Sequence, residues 1–250
     1  MTTFRADREI VHGERLAQRD PELVWGWKTP AGRLRAIRRA KLIASGARLG
    51  PGILALEIGC GTGLFTEMFG QTGAQLVALD ISAELLEKAR SRGIPPNKVQ
   101  FLEKRFEDSD IGGPFDAVIG SSVLHHLDLE VALQRIFDLL KPGGVMSFAE
   151  PNMLNPQILL QKNVPWLKQR MGDSPDETAF VRWRLRGLLS KAGFQRVEVK
   201  PFDWLHPALP ESFVGAARRL CHTLEVIPIV KEFAGSLYIR CRRPAREDSC

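Results

Sequence analysis

The segment Ile53-Leu54-Ala55-Leu56-Glu57-Ile58-Gly59-Cys60-Gly61-Thr62-Gly63 constrains this chain more than any other. Four apolar residues in succession read as a buried strand, and glycines at 59, 61 and 63 end it in a bend from which Cβ atoms are absent. A helical run begins at Leu64, so its unpaired N–H groups and positive dipole end face whatever the bend holds. Strand, glycine bend and helix in that order open a nucleotide-binding unit. The pyrophosphate fingerprint, however, needs Gly-x-Gly-x-x-Gly, whereas this bend reads Gly-x-Gly-x-Gly and continues with Leu64.

The acid two positions ahead of the first glycine, Glu57, would repel phosphate and suits a ligand with an ammonium group nearby. S-adenosylmethionine is such a ligand. A second acid, Asp80, closes the next apolar strand, Leu76-Val77-Ala78-Leu79, at about the twenty-residue offset where a nucleotide-binding unit places its ribose acceptor. At these residues, and from roughly Leu49 to Pro151, the chain resembles the class I S-adenosylmethionine-dependent methyltransferases. Within them it is similar to the small-molecule branch of the ubiquinone and menaquinone C-methyltransferases. Phe115-Asp116-Ala117-Val118, His125-His126 and Leu140-Lys141-Pro142-Gly143-Gly144 extend the likeness.

The resemblance implies roles for particular residues. Gly59 and Gly61 approach the methionyl part of the donor and Glu57 helps to order that site. Asp80 accepts from both ribose hydroxyls, Ile81 packs on the adenine ring, and Ser121 touches the donor through backbone or hydroxyl. Family members often carry an acid after the third strand where the adenine amino group is read. Here Arg105 stands at that position, which leaves the N–H of Phe106 as the expected adenine contact, or Glu107 as a substitute through a shifted loop.

Alternating strand and helix signals predict an α/β fold of Rossmann-like type, one doubly wound seven-stranded sheet with helices on both faces. By resemblance six strands are parallel and the seventh, Leu237-Tyr238-Ile239, antiparallel. A single domain of 250 residues is expected, with a helical cap over residues 1–50, a cofactor-binding half over 51–151, and an acceptor-covering half over 152–250. Helices are expected from Leu64 to about Gln71, from Ser82 to Gly93 and from Asp128. Thr29-Pro30-Ala31-Gly32 reads as a turn, and Ser174-Pro175-Asp176-Glu177 as a capping box that opens a helix ending at Gly193. An insertion separates the sixth strand, Val197-Glu198-Val199, from the seventh. Its stripe of Phe213, Val214, Ala217, Leu220, Leu224 and Val226 to Val230 is expected to pack in the core; covering the acceptor pocket, pairing two subunits in a homodimer, or touching lipid are the alternatives.

A net charge of +6 raises the question of nucleic acid, and Arg33, Arg35, Arg38, Arg39 and Lys41 concentrate that charge. Leu34, Ile37 and Leu42 interleave with them at helical spacing, which predicts a solvated basic face. Enzymes that methylate exocyclic base nitrogens usually carry Asn or Asp with Pro-Pro and an aromatic after the fourth strand; this chain has Ser121-Ser122-Val123-Leu124. Nucleic acid is therefore not the favoured partner, and a small-molecule or lipid-linked acceptor is. No apolar run reaches the length of a transmembrane helix and the first residues lack a signal-peptide core, so a cytoplasmic address is expected. Cys60, Cys221, Cys241 and Cys250 are too scattered to suggest a metal, and none is expected.

Methyl transfer needs a donor and a nucleophile held in contact, and a base when the nucleophile bears a proton. His125 is the candidate base, with His126 in a structural hydrogen bond; the alternative is that neither touches substrate. Glu150, after the fifth strand, could serve as base, bind an acceptor hydroxyl or cap a loop. Trp25 and Trp27 could close over donor or acceptor, or dock the cap on the core. The leading expectation is a methyltransferase acting on an oxygen, nitrogen or carbon of a small, hydrophobic or lipid-linked metabolite. The alternatives are an inactive S-adenosylmethionine-binding partner of a biosynthetic complex, for which Arg105 speaks, and a nicotinamide oxidoreductase, which the glycine spacing and Glu57 disfavour.

Overall fold

The computed structural model describes residues 2–107, 110–171 and 178–245, with side chains from residue 7 onward. Seven strands form one sheet: β1 Leu54–Ile58, β2 Gln75–Asp80, β3 Val99–Glu103, β4 Phe115–Ser121, β5 Leu140–Pro151, β6 Gln195–Phe202 and β7 Ser236–Arg242. Their order is β3-β2-β1-β4-β5-β7-β6. β7 runs antiparallel to both its neighbours, and the other pairs are parallel, as the resemblance implies. The order reverses between β1 and β4, and a sheet of this kind opens a crevice at the carboxyl ends of its strands at that point.

Alternation along the strands divides the core into two layers. Leu56, Ile58, Val118 and Phe148 face one side, against Leu133 and Ile136 of α6 (Leu129–Leu139) and Leu185 and Leu189 of α9 (Arg182–Lys191). Ala55, Ala117, Ile119 and Ala149 face the other, against α3 (Pro30–Ala47), α4 (Leu64–Gly70) and α5 (Ala83–Arg90). Each large aliphatic side chain so buried contributes roughly 1.5–3 kcal/mol. Alanines on the second face of the sheet meet Ala36 and Ala40, which lets α3 lie close enough for the Ser147 hydroxyl to donate to Ile43 O at 3.0 Å. α3 thus belongs to the core, and the cap over the crevice consists of α1 (Thr2–Ala17) and α2 (Pro21–Val24).

Caps fix several helix starts. Asp20, Ser82, Asp128 and Asn155 each accept from backbone N–H groups at the start of α2, α5, α6 and α7 (Pro156–Asn163). Thr29 does the same: its hydroxyl accepts from Gly32 N at 3.0 Å and Pro30 takes the first helical position. Thr29–Gly32 is therefore the start of α3 and not a free turn. Leu140–Gly144 is likewise absorbed into β5, as an irregularity where the register with β4 shifts and Gly143 adopts φ +80°. The box Ser174–Glu177 lies outside the described residues, but α9 opens only at Arg182, because Phe180 instead bridges to Asn152.

Beyond β5, α7 and α8 (Pro165–Arg170) bury no residue completely. In α10 (Glu211–Val226), Val214 and Cys221 are buried, while Phe213, Leu220, Val226 and the following Ile229 are exposed. The expectation that this whole stripe packs in the core is corrected accordingly: one side of a single helix reaches the core, and the stripe is wider than that side. Among the described residues no helix is long and apolar enough to cross a membrane, and no cluster of ligands could hold a metal.

Candidate functional site

A cavity of about 1130 Å³ lies over the carboxyl ends of β1, β2 and β4, roofed by α1 and α2. It slightly exceeds the ~300–1,000 Å³ of ordinary small-molecule sites. Two ligands side by side fit such a volume.

The glycine bend forms its floor. Gly59, Gly61 and Gly63 all have positive φ, at +66°, +53° and +76°. A Cβ at Gly59 would stand 2.4 Å from Val123, and one at Gly63 would stand 2.9 Å from Ala89. Gly59 and Gly61 both line the cavity, but a Cβ at Gly61 would meet no clash, its nearest neighbour being the Trp25 ring at 3.5 Å. Two of the three glycines thus serve packing, and one keeps clear a place for a ligand.

Asp80 holds the bend from the neighbouring strand. Its Oδ2 accepts from Gly61 N at 2.7 Å and its Oδ1 from Ser82 N at 2.9 Å. Each oxygen keeps a lone pair for a hydroxyl donor, and the side chain lines the cavity. Burial nevertheless raises its pKa, against the opposing pull of these N–H groups. Glu57 lies below the bend and is not part of the cavity wall. It is 2% exposed, its Oε2 has no hydrogen-bond partner, and burial pushes its pKa up to about 8. At neutral pH it is mainly protonated.

Ile81, Phe106 and Ser121 line the cavity as well. The Phe106 ring is buried in the core, which fixes the backbone beside it. Arg105 Nε lies 3.6 Å from Glu107 Oε2, and both residues line the wall, so a carboxylate stands on the cavity wall beside Arg105, which holds the expected acidic position.

His125 follows β4 in a short 3-10 turn, Leu124–His126, and faces the cavity. Its Nδ1 lies 2.6 Å from Glu150 Oε2, and Glu150 Oε1 accepts from Val123 N at 2.9 Å and Leu124 N at 3.0 Å. Glu150 is fully buried and does not line the cavity; it positions the turn and the imidazole and is no acceptor ligand on the rim. With Nδ1–H directed to the carboxylate, Nε2 becomes the basic nitrogen of the neutral ring. His126 Nδ1 sits 3.0 Å from Glu9 Oε2 on α1, so its contact crosses to the cap instead of serving α6.

The two tryptophans stand at the junction of cap and core. Trp25 and Trp27 line the cavity, while Trp27 also packs edge-on against Phe65, with ring centroids 5.5 Å apart. The cap is tied down beside them: Arg92 reaches Glu22 and Glu67, and the Thr62 hydroxyl donates to Glu22 at 2.9 Å.

The expected solvated basic face is corrected. Arg33 and Lys41 are exposed, but Arg35 pairs with Asp203 at 2.8 Å, Arg38 with Glu225, and Arg39 is 3% exposed. Arg39 donates to Ser121 Oγ, Ser122 Oγ, Ala149 O and Ser236 Oγ, between the rings of Trp27 and Phe202. Among the described residues no carboxylate touches it and its Nε is unpartnered, and burial lowers its pKa to about 10. Sequence reasoning missed Arg39, Asp203, Trp204 and His206 as cavity residues. One signal was present: Arg39 shares its helix face with Gly32, Ala36 and Ile43, all buried.

Residues 56–146 match a family described as a methyltransferase domain. Over 133 residues the chain is 33% identical to the ubiquinone biosynthesis O-methyltransferase of Xanthomonas campestris pv. campestris, covering 51% of this chain and 56% of that protein. The chain thus spans about half the length of the curated relatives it matches. The N-methyltransferase NodS of Bradyrhizobium japonicum, solved with S-adenosyl-L-homocysteine, superposes with a TM-score of 0.63 at 18% identity, covering 94% of this chain and 98% of that one. A Haloferax volcanii protein solved in complex with the Trm112 methyltransferase activator gives 0.69 at 20% identity, over 93% and 97% of the two chains. Strand order, glycine bend and domain match converge: residues 56–146 are similar to a methyltransferase domain, and the seven-stranded sheet has the fold of solved S-adenosylmethionine-dependent methyltransferases.

Proposed function

We propose that this chain transfers the methyl group of S-adenosylmethionine to an oxygen, nitrogen or carbon of a small organic acceptor held in the same cavity. The observation that carries this reading is the Asp80 carboxylate, which braces the glycine bend while still lining the cavity. The residues present fit the donor. Asp80 would take the ribose hydroxyls, the open face of Gly61 the methionyl part beside the sulfonium, and Ile81, Phe106 N–H and Glu107 the adenine. Arg39 supplies a buried cation for the methionyl carboxylate, with no carboxylate in contact among the described residues. Glu57, beneath the bend, acts on the loop and not on the ligand directly.

When bound, the donor supplies a methyl carbon made electrophilic by its positive sulfur. The protein holds the two ligands together and keeps water out, with Trp25 and Trp27 as the screen. His125, held by Glu150, accepts the acceptor's proton at Nε2 where there is one to lose. Relatives named for ubiquinone biosynthesis support an acceptor with an apolar body, as do Trp204, Leu205, Pro207 and Ile158 on the cavity wall.

Titration calorimetry with S-adenosylmethionine, followed by transfer of labelled methyl groups into fractionated metabolites, tests the proposal. Binding and a labelled product are the expected results; no binding refutes it, and binding without any product refutes the catalytic part.

A further inference from the structure

α3 presents two arginines to the cavity one turn apart, and they are held differently. Arg39 points its Nη groups at hydroxyls and a carbonyl at the sheet end. Arg35 lies a turn nearer the helix start, away from the strand ends. Among the described residues only its Nε is engaged, by Asp203 Oδ2 at 2.8 Å, and its Nη pair meets no protein acceptor. Its guanidinium lies over the Trp27 ring at 5.4 Å, and the side chain is only 14% exposed.

The surroundings hold that fork in place. Asp203 adopts φ +75°, a conformation costly for a residue other than glycine, and is buried. Its backbone N donates to Glu225 Oε1 at 2.8 Å, and its carbonyl accepts from Gly235 N at 2.9 Å. Glu225 is itself taken up by Arg38, and Glu150 by His125 and the turn amides. Asp203 thus makes its direct ion pair with Arg35 and acts on Arg39 only at longer range, so two guanidinium groups stand beside one contacting carboxylate. His206 adds a donor: its Nδ1 accepts from Ala208 N at 3.1 Å, so the neutral ring carries its proton on Nε2. Burial and the neighbouring Arg35 lower its pKa, which keeps that ring neutral.

We propose that Arg35 anchors an oxyanion on the methyl acceptor, its Nη edge gripping a carboxylate or phosphate group while the acceptor's apolar body lies against Trp27 and Trp204. A planar two-pronged donor fixed at its third nitrogen is the geometry that reads such groups in pairs of parallel hydrogen bonds. The assignment rests on the methyltransferase reading above and names the acceptor class for that site.

The test uses full-length protein saturated with S-adenosyl-L-homocysteine, titrated with benzoate, phenyl phosphate and neutral benzamide. Benzoate or phenyl phosphate should bind at least about tenfold more tightly than benzamide, and the stronger of the two identifies the oxyanion. Arg35→Gln should remove that preference while changing homocysteine-product affinity less than about twofold, and Arg35→Lys should restore part of it. Should Arg35→Gln unfold by leaving Asp203 buried and unpaired, the double variant Arg35→Gln/Asp203→Asn carries the same comparison without the stranded charge. Equal binding of benzoate and benzamide overturns the assignment. So does a loss of homocysteine-product affinity in the variant, which would hand Arg35 to the donor's carboxylate. Failure of the wild type to bind S-adenosyl-L-homocysteine would instead refute the underlying function, with the oxyanion preference still readable on the free protein.

Discussion

The two halves of the cavity are built by different means. The half proposed for the donor is made of strand ends: Gly61, Asp80, Ile81 and Ser121 hold their places because β1, β2 and β4 are in register. The half proposed for the acceptor is made of side chains from α3, the turn after β6, and α7, brought together by contacts such as Arg35 with Asp203, 168 positions apart. Backbone register makes the first half rigid and generic. The second is free to vary, because changing its side chains leaves the sheet intact.

If that division is right, substitutions on the two sides should separate donor affinity from turnover. His125→Ala should show the largest effect, a loss of roughly 10²–10⁴-fold in kcat with donor Kd nearly unchanged. Glu150→Gln should lower kcat in the same sense by a smaller factor, because it loosens the imidazole. Equal loss of kcat and donor affinity would make His125 structural. Asp80→Ala should cost about 2–3 kcal/mol of donor affinity by calorimetry, since it removes ligand contacts and releases Gly61 N. An unaltered affinity would detach the bend from the donor.

The floor itself allows a finer contrast. Gly59→Ala should destabilise the fold by about 2 kcal/mol in urea, because of positive φ and the Val123 contact, and Val123→Ala should recover part of it. Gly61→Ala should cost less stability and more donor affinity. The reverse outcome would exchange their roles.

The smallest effect concerns Glu57. Its folded pKa of about 8 lies above the ordinary value of 4.5, so the folded state binds more protons than the unfolded one between those limits. The ligand-free protein should therefore lose stability as pH rises through that window, by at most about 1.4 kcal/mol per pH unit. Melting curves at pH 6 and 7 should show the slope in the wild type and not in Glu57→Gln.

The same division explains what could be read from the sequence. Strand runs, the glycine spacing, Asp80 and the Ser82 and Asp128 caps are local patterns, and each has its expected place in the fold. Errors fell where distant contacts decide. Arg35, Arg38 and Arg39 look like solvent-facing bases until Asp203, Glu225 and three serines are brought to them. Glu150 looks like a rim residue until β5 extends past it and buries its carboxylate under His125. A helix running on to Gly193 looks continuous in the sequence, but Phe180 bridges to Asn152 and α9 opens only at Arg182.

The contact between Gly59 and Val123 bears on how such chains diverge. A descendant that stopped methylating anything would still be more stable with a hydrogen in place of a methyl at that position, whereas Gly61 would be released to drift. The first glycine of the signature therefore testifies to ancestry and architecture, and retention of the second is the better witness to a working enzyme.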